Sequence, residues 1–186
     1  MNEVSLDDKS HITRDGIRIY QDADFAGMHK AGELAARILD DIAEHIFPGQ
    51  TTGELDRLIE EQVNAAGATS ATIGYKGYKH ASCISINHVV CHGIPGDKRL
   101  KDGDILNIDV TVILDGWYGD NSRMYVAGKL SRKAERLIQV THDALMKGID
   151  AVRPGATFGD IGYAIQSYVE ANRMSVVRDF CGHGLG

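Results

Sequence analysis

Between residues 105 and 114 apolar and polar positions alternate strictly. Ile105, Asn107, Asp109, Thr111 and Ile113 fall on one side, and Leu106, Ile108, Val110, Val112 and Leu114 on the other. A period of two predicts a strand with one apolar face and one mixed face that carries an aspartate. Asp115-Gly116 follows, the dipeptide suited to a two-residue type I′ turn, in which both central residues need positive φ. The predicted hairpin spans 104–126 and sets Leu114 against Trp117, Thr111 against Asp120 and Asp109 against Ser122. Asp120 thereby becomes a diagonal neighbour of Asp109 on one face, about 7–8 Å away between backbones. A slip of one residue would send the two carboxylates to different faces.

Elsewhere the period lengthens to that of a helix. Leu34, Ile38, Ile42 and Ile46 share one face, and Leu137, Ala144, Leu145 and Val152 share another. Each helix runs into a Pro-Gly corner, and the corners are alike: Pro48-Gly-Gln-Thr-Thr-Gly-Glu-Leu55 resembles Pro154-Gly-Ala-Thr-Phe-Gly-Asp-Ile161. At the same offset Ile59 matches Ile165, Val63 matches Val169 and Ala65 matches Ala171. Pro-Gly is expected to stop the first helix of each pair. Thr51 with Glu54, and Thr157 with Asp160, read as capping boxes that open the second. The chain is therefore organised as an internal repeat. The first copy continues into an irregular Gly/Tyr segment at 74–80, strands around 82–91 and the long hairpin. The second reaches Ser175-Val-Val-Arg-Asp-Phe180, where its own sheet is expected to begin, and then ends at Gly186. A sheet built mainly by one lobe exposes an edge and an apolar face. The expectation is a fragment, or a protein that completes itself by self-association.

Composition narrows the class. The chain has 186 residues, 43% hydrophobic and 25% charged, enough for one globular domain with a core that needs no staples. A net charge of −6 gives no electrostatic case for binding nucleic acid or an anionic membrane. No apolar run approaches the ~18 residues of a membrane span. The start is acidic and unlike a signal peptide. Cys83, Cys91 and Cys181 are odd in number and lack Cys-x-x-Cys spacing, against a disulfide framework or a four-cysteine zinc site. The expected compartment is the cytoplasm.

Two close carboxylates repel unless a proton or a cation lies between them, so Asp109 and Asp120 suggest a metal. Spacing alone leaves a second reading open, a polar face turned to water. Two histidines bear on the choice. His92, in Cys91-His-Gly-Ile-Pro-Gly96, follows a strand-like run from Cys83 to Val90, and His183 lies among glycines in Cys181-Gly-His-Gly-Leu-Gly186. Imidazole is the commonest protein metal ligand and titrates near neutral pH. His11, His29, His45, His80, His88 and His142 sit in polar or helical contexts and are expected to be bystanders. Oxygen donors with one or two imidazoles suit manganese, iron, cobalt or zinc. Two such ions about 3.5–4 Å apart are the apparatus of many hydrolases. Tyr75, Gly77, Tyr78 and Cys83 are candidates for an apolar pocket beside them, or for ordinary packing.

These residues resemble the bacterial type I methionine aminopeptidases from about Ile17 to the last residue. The most specific stretches are Ser82-Cys-Ile-Ser-Ile-Asn-His-Val-Val-Cys-His-Gly-Ile-Pro95, Leu100-Lys-Asp-Gly-Asp-Ile-Leu-Asn-Ile-Asp-Val-Thr-Val112 and Val177-Arg-Asp-Phe-Cys-Gly-His-Gly-Leu-Gly186. The resemblance implies an α+β pita-bread fold, two pseudo-symmetric lobes around a cleft. It also implies removal of the initiator methionine from nascent polypeptides with a small second residue, at the ribosome, with two divalent ions (cobalt, manganese, iron or zinc). By position, Asp109 and Asp120 are implied as carboxylate ligands, the second bridging both ions, and His183 as the imidazole ligand. His92 is implied to hydrogen-bond the substrate and stabilise the tetrahedral intermediate. Tyr75, Tyr78 and Cys83 fall where the family lines its methionine pocket, and Asn87 and Val89 where backbone carbonyls bind a monovalent cation. Residues 1–16 read as an extension, and 17–186 as a single metallopeptidase domain with lobes at about 17–128 and 129–186.

The family pattern also holds two further glutamates and a second histidine after the Gly-His-Gly segment. This chain has none of them, so the 186-residue polypeptide is expected to be weakly metal-binding and nearly inactive. A complete chain of this kind is expected to be a monomer. Two alternatives stand: a proline-specific peptidase or creatinase relative, and a non-catalytic pita-bread-like binding module.

Overall fold

The structure is a computed structural model and describes residues 12–185. Residues 1–11, which include His11 and most of the expected extension, and Gly186 lie outside the described residues. The chain forms two compact units, the first up to Gly128 and the second Lys129–Gly184.

The first unit packs two helices on one face of an antiparallel sheet. Its elements are α1 (Asp22–Asp41), a 3-10 turn (Ile42–His45), α2 (Thr52–Ala65), β1 (Thr69–Ser70), β2 (Ser82–Ile86), β3 (Asp104–Leu114) and β4 (Trp117–Ala127). Strand β3 is central, with β4 along the whole of one edge and β2 and β1 sharing the other. The hairpin turn has positive φ at both Asp115 (52°) and Gly116 (82°), and Leu114 pairs with Trp117. This is the turn that the Asp-Gly dipeptide predicts. The register follows, with Thr111 opposite Asp120 and Asp109 opposite Ser122.

The even-numbered face of β3 is the core. Leu106, Ile108, Val110 and Val112 are fully buried with Ile38, Leu39 and Ile42 from the α1 region and Leu55, Ile59 and Val63 from α2. Each such side chain contributes about 1.5–3 kcal/mol relative to exposure. Helix α1 lies close on β4, because a Cβ on Gly119 would stand 2.1 Å from the Ala31 carbonyl oxygen. At its far end Tyr125 Oη donates to the Leu39 carbonyl and Arg123 pairs with Asp40. The burial that makes this Tyr125 contact dry pushes its hydroxyl pKa up to about 12.

The strand expected around 82–91 is shorter than predicted, and His92 does not end it. Strand β2 stops at Ile86 because Asn87 takes φ 53° and turns the chain. The Asn87 side chain then holds the turn: its Oδ1 accepts from Ile105 N (3.1 Å) and its Nδ2 donates to Asp104 (2.7 Å).

The second unit comprises α3 (Arg132–Asp150) and α4 (Phe158–Ala171). Of the face expected on α3, only Ala144 is buried. Leu137, Leu145 and Val152 are 44%, 55% and 65% exposed. The buried row is Val140, Ala144 and Gly148, spaced by four residues because α4 is the helix it meets within its unit. A Cβ on Gly148 would lie 2.8 Å from Ile165 Cδ1. Tyr168 Oη donates to Asp143 (3.0 Å), and Arg136 to the Asn172 carbonyl (2.7 Å). Ser175–Phe180, expected to begin a strand, is irregular. A strand is stabilised by a neighbouring ladder, and the regular elements of this unit are two helices.

Both predicted capping boxes form, and α2 and α4 are each 14 residues long. Thr51 Oγ1 accepts from Glu54 N, and Thr157 Oγ1 from Asp160 N. The acidic side chains accept in return from Thr51 N (3.0 Å) and Thr157 N (2.7 Å).

Candidate metal centre

The odd-numbered face of β3 carries the site. Asp109 and Asp120 are both half-buried on it, in the diagonal relation set by the hairpin register. Asp120 Oδ1 accepts from Thr111 Oγ1 at 3.1 Å, which orients the carboxylate on its own strand pair. Cys83 pairs directly with Asp109 across β2 and β3 and so shares that face. An acidic pair beside a buried thiol, on a half-buried face shared with Asn107 and Thr111, makes a patch of concentrated negative charge. Cations are drawn to such a place.

His92 is exposed in the loop that runs along the outer edge of β2, with φ 53°. Its neighbour Gly93 anchors the loop. The Gly93 carbonyl accepts from Ile84 N (2.8 Å), and Gly93 N donates to Ser85 Oγ (3.0 Å). A Cβ at Gly93 would stand 2.2 Å from the Ile84 carbonyl oxygen, so only glycine permits this approach. His183 lies in the second unit, exposed, with Nδ1 2.9 Å from the Gly184 carbonyl. A proton on Nδ1 donated there leaves the lone pair on Nε2, the tautomer a metal ligand needs.

Tyr78, Cys83 and Asp109 are brought together. The Tyr78 hydroxyl donates to the Ser82 carbonyl (2.9 Å) and meets the Cys83 thiol. Burial, then the thiol and the nearby carboxylates of Asp56 and Asp109, push the Tyr78 hydroxyl well above the ordinary tyrosine range. Burial also raises Cys83, Asp109 adds to the rise, and the bond to Tyr78 opposes it. Cys83 is therefore a neutral thiol at physiological pH and not an activated nucleophile. Tyr75 is 66% exposed, in the turn Tyr75–Gly77, with Lys76 Nζ 5.3 Å from its ring centroid. The Tyr75 carbonyl accepts from Tyr78 N at 2.9 Å, so the backbone of one short turn joins the two tyrosines. Val89 N donates to the Ile86 carbonyl (3.1 Å), which places Val89 in the same turn as Asn87.

Sequence reasoning missed Asp56. This carboxylate on α2 is only 6% exposed. Its Oδ1 accepts from both Ser82 N (2.9 Å) and Ser82 Oγ (2.7 Å), and its Oδ2 meets His80 Nδ1 at 3.1 Å. His80, read as a bystander, thus has a buried partner. The signal available was an aspartate between Leu55 and Ile59, on the apolar stripe of the helix. The three residues do not form a nucleophilic triad, since Ser82 is fully buried and its hydroxyl is held by the carboxylate rather than by the imidazole.

As a donor set, two half-buried carboxylates on one face fit a first-row divalent ion. Among the described residues no three or more His, Cys, Asp or Glu side chains are gathered as a ligand group.

Residues 26–186 match metallopeptidase family M24, and the chain belongs to that family. Its fold is the family's α+β pita-bread fold. It is 59% identical over 170 residues to a methionine aminopeptidase of Rickettsia prowazekii, an alignment covering 91% of this chain and 66% of that relative. The chain thus spans just under two thirds of that relative's length. The crystal structure of methionine aminopeptidase from Rickettsia prowazekii superposes with a TM-score of 0.90 over 91% of this chain and 68% of that one. Prolidase from Pyrococcus furiosus superposes with a TM-score of 0.74 at 21% identity over 83% of this chain and 44% of that one, a likeness of fold alone.

Proposed function

We propose that this protein is a metal-dependent aminopeptidase that removes the N-terminal methionine from nascent polypeptides with a small second residue, in the cytoplasm. The observation that carries the reading is the hairpin register, which sets Asp109 and Asp120 diagonally on one half-buried face beside Cys83 and Tyr78. High identity to a methionine aminopeptidase supports it.

In this reading Asp109, Asp120 and His183 hold two divalent ions drawn from cobalt, manganese, iron or zinc. Bound there, the ions supply Lewis acidity and neutralise developing negative charge. His92 hydrogen-bonds the substrate and stabilises charge on the reacting carbonyl. Tyr78 and Cys83, with Tyr75 at the rim, take the unbranched methionine side chain, for which a neutral thiol and a protonated phenol are compatible neighbours. The turn holding Asn87 and Val89 offers carbonyls to a monovalent cation. Residues 17–186 act as one metallopeptidase domain.

The test is a binding comparison by calorimetry on manganese- or cobalt-loaded protein, with a Met-Ala-Ser peptide against an Ala-Pro-Ser peptide, and cleavage followed in the same samples. Preference for Met-Ala-Ser, in binding and in any turnover, is the expected result. Preference for Ala-Pro-Ser would replace this reading with a proline-specific one. Absence of metal and peptide binding would replace it with a non-catalytic module.

A further inference from the structure

The mechanism above leaves one buried charge without a task. Asp56 sits on α2, beneath the core face of the sheet, and its contacts all converge on residues 78–83. Oδ1 accepts two hydrogen bonds from Ser82, and Oδ2 meets His80. Ser82 in turn accepts the Tyr78 hydroxyl on its carbonyl. The His80 ring stands edge-on to Tyr78, 5.5 Å between centroids at 65°. Ser82 pairs with Val110 and faces the core, whereas the next residue, Cys83, pairs with Asp109 and faces the site. One carboxylate therefore fixes, from below, the backbone that aims Cys83 and the hydroxyl and ring of Tyr78. Burying a charge is costly unless several donors satisfy it, and here the donors belong to the residues that flank the pocket wall.

We propose that Asp56 is a positioning residue for the methionine pocket: through Ser82 and His80 it holds Tyr78 and Cys83 beside Asp109 and so sets the selectivity of the pocket. This rests on the reading of Tyr78 and Cys83 as pocket walls. A wall held by a buried carboxylate keeps its shape when empty, so less ordering is needed when a side chain enters.

Two measurements on the full chain separate this role from general support of the fold. The first is the alkylation rate of Cys83 by iodoacetamide, read by peptide mass spectrometry with exposed Cys181 as internal standard. Asp56→Ala should raise the Cys83 rate by about tenfold or more, the scale of losing a buried hydrogen-bond partner. Asp56→Asn, which keeps the shape and an acceptor for Ser82, should restore most of the protection. Val63→Ala, a buried change on the same helix, serves as the control for general loosening. If Val63→Ala accelerates Cys83 as much as Asp56→Ala does at matched loss of stability, the positioning role is overturned. The second is discrimination between Met-Ala-Ser and Leu-Ala-Ser. Read as binding by calorimetry on the manganese-loaded protein, Asp56→Ala should weaken binding of the methionine peptide and narrow the preference, and Asp56→Asn should restore most of it; an unaltered preference in Asp56→Ala overturns the selectivity claim. If the unsubstituted protein binds neither peptide, the peptidase reading fails by itself, and the alkylation comparison decides the positioning role.

Discussion

In the first unit the helix after Pro48-Gly49 buries Leu55, Ile59 and Val63 almost completely. In the second the helix after Pro154-Gly155 buries Val169, leaves Ile165 half-buried and exposes 75% of Tyr163. Their corners differ in the same direction. Around Pro48 the backbone is stitched to residues 96–100: Gly49 N donates to Leu100 O (2.7 Å), Leu100 N to Gln50 O (2.8 Å) and Gly53 N to Gly96 O (2.8 Å). Thr52 is buried there and donates its hydroxyl to Gly96 O, while Phe158, its counterpart in the repeat, is 93% exposed. Helix length and capping are nevertheless the same in both copies. Local chemistry sets where these helices start, and tertiary partners set how much each buries.

The largest effect that sharpens this contrast is a paired truncation. Ile59→Ala should cost about 2–5 kcal/mol, as large-to-small changes in a filled core do. Ile165→Ala should cost about 1 kcal/mol, because its side chain is already partly solvated. Denaturant unfolding followed separately in the two units checks this, and equal costs would break the comparison.

A smaller effect should be symmetric. Thr51→Ala and Thr157→Ala each remove one half of a complete capping box, at about 1 kcal/mol apiece. Near-equal losses in helix stability, measured by amide exchange in α2 and α4, would show that capping is indifferent to burial.

The smallest is the acid response of the two boxes. Glu54 is lowered chiefly by its hydrogen bond from the Thr51 side chain, and Asp160 chiefly by that from the Thr157 backbone. A carboxylate depressed in the folded state stabilises it fully above its ordinary pKa, and the contribution disappears as pH falls through the folded value. Fraying of both helix N-termini should therefore begin only below the ordinary carboxylate range, detected by NMR titration of the Glu54 and Asp160 amides.

What was legible in the sequence follows the same division. The alternation at 105–114, the Asp-Gly turn and the two capping boxes depend on neighbours a few residues away, and each was read correctly, including the register that unites Asp109 with Asp120. The end of β2 was misplaced because apolar residues on both sides of Asn87 continue the strand-like run, and the turn depends on its side chain holding the distant Ile105 and Asp104. The buried face of α3 was misjudged because several apolar rows fit a helical period, and only the partner helix selects Val140, Ala144 and Gly148. Asp56 escaped notice because a single aspartate in a helix usually faces water, and its partners His80 and Ser82 lie far along the chain. The site was legible where a hairpin made it local and obscure where α2 reaches across to it.

The central claim is that Asp109 and Asp120 together hold a divalent ion. Manganese titration of the protein, followed by electron paramagnetic resonance, tests it directly against Asp109→Asn and Asp120→Asn. The account predicts saturable binding to the unsubstituted chain, weakened by each change by at least about 100-fold, since even groups behind metal ligands contribute 10–100-fold. Binding that survives both changes undiminished, or no binding to the unsubstituted chain, would contradict it.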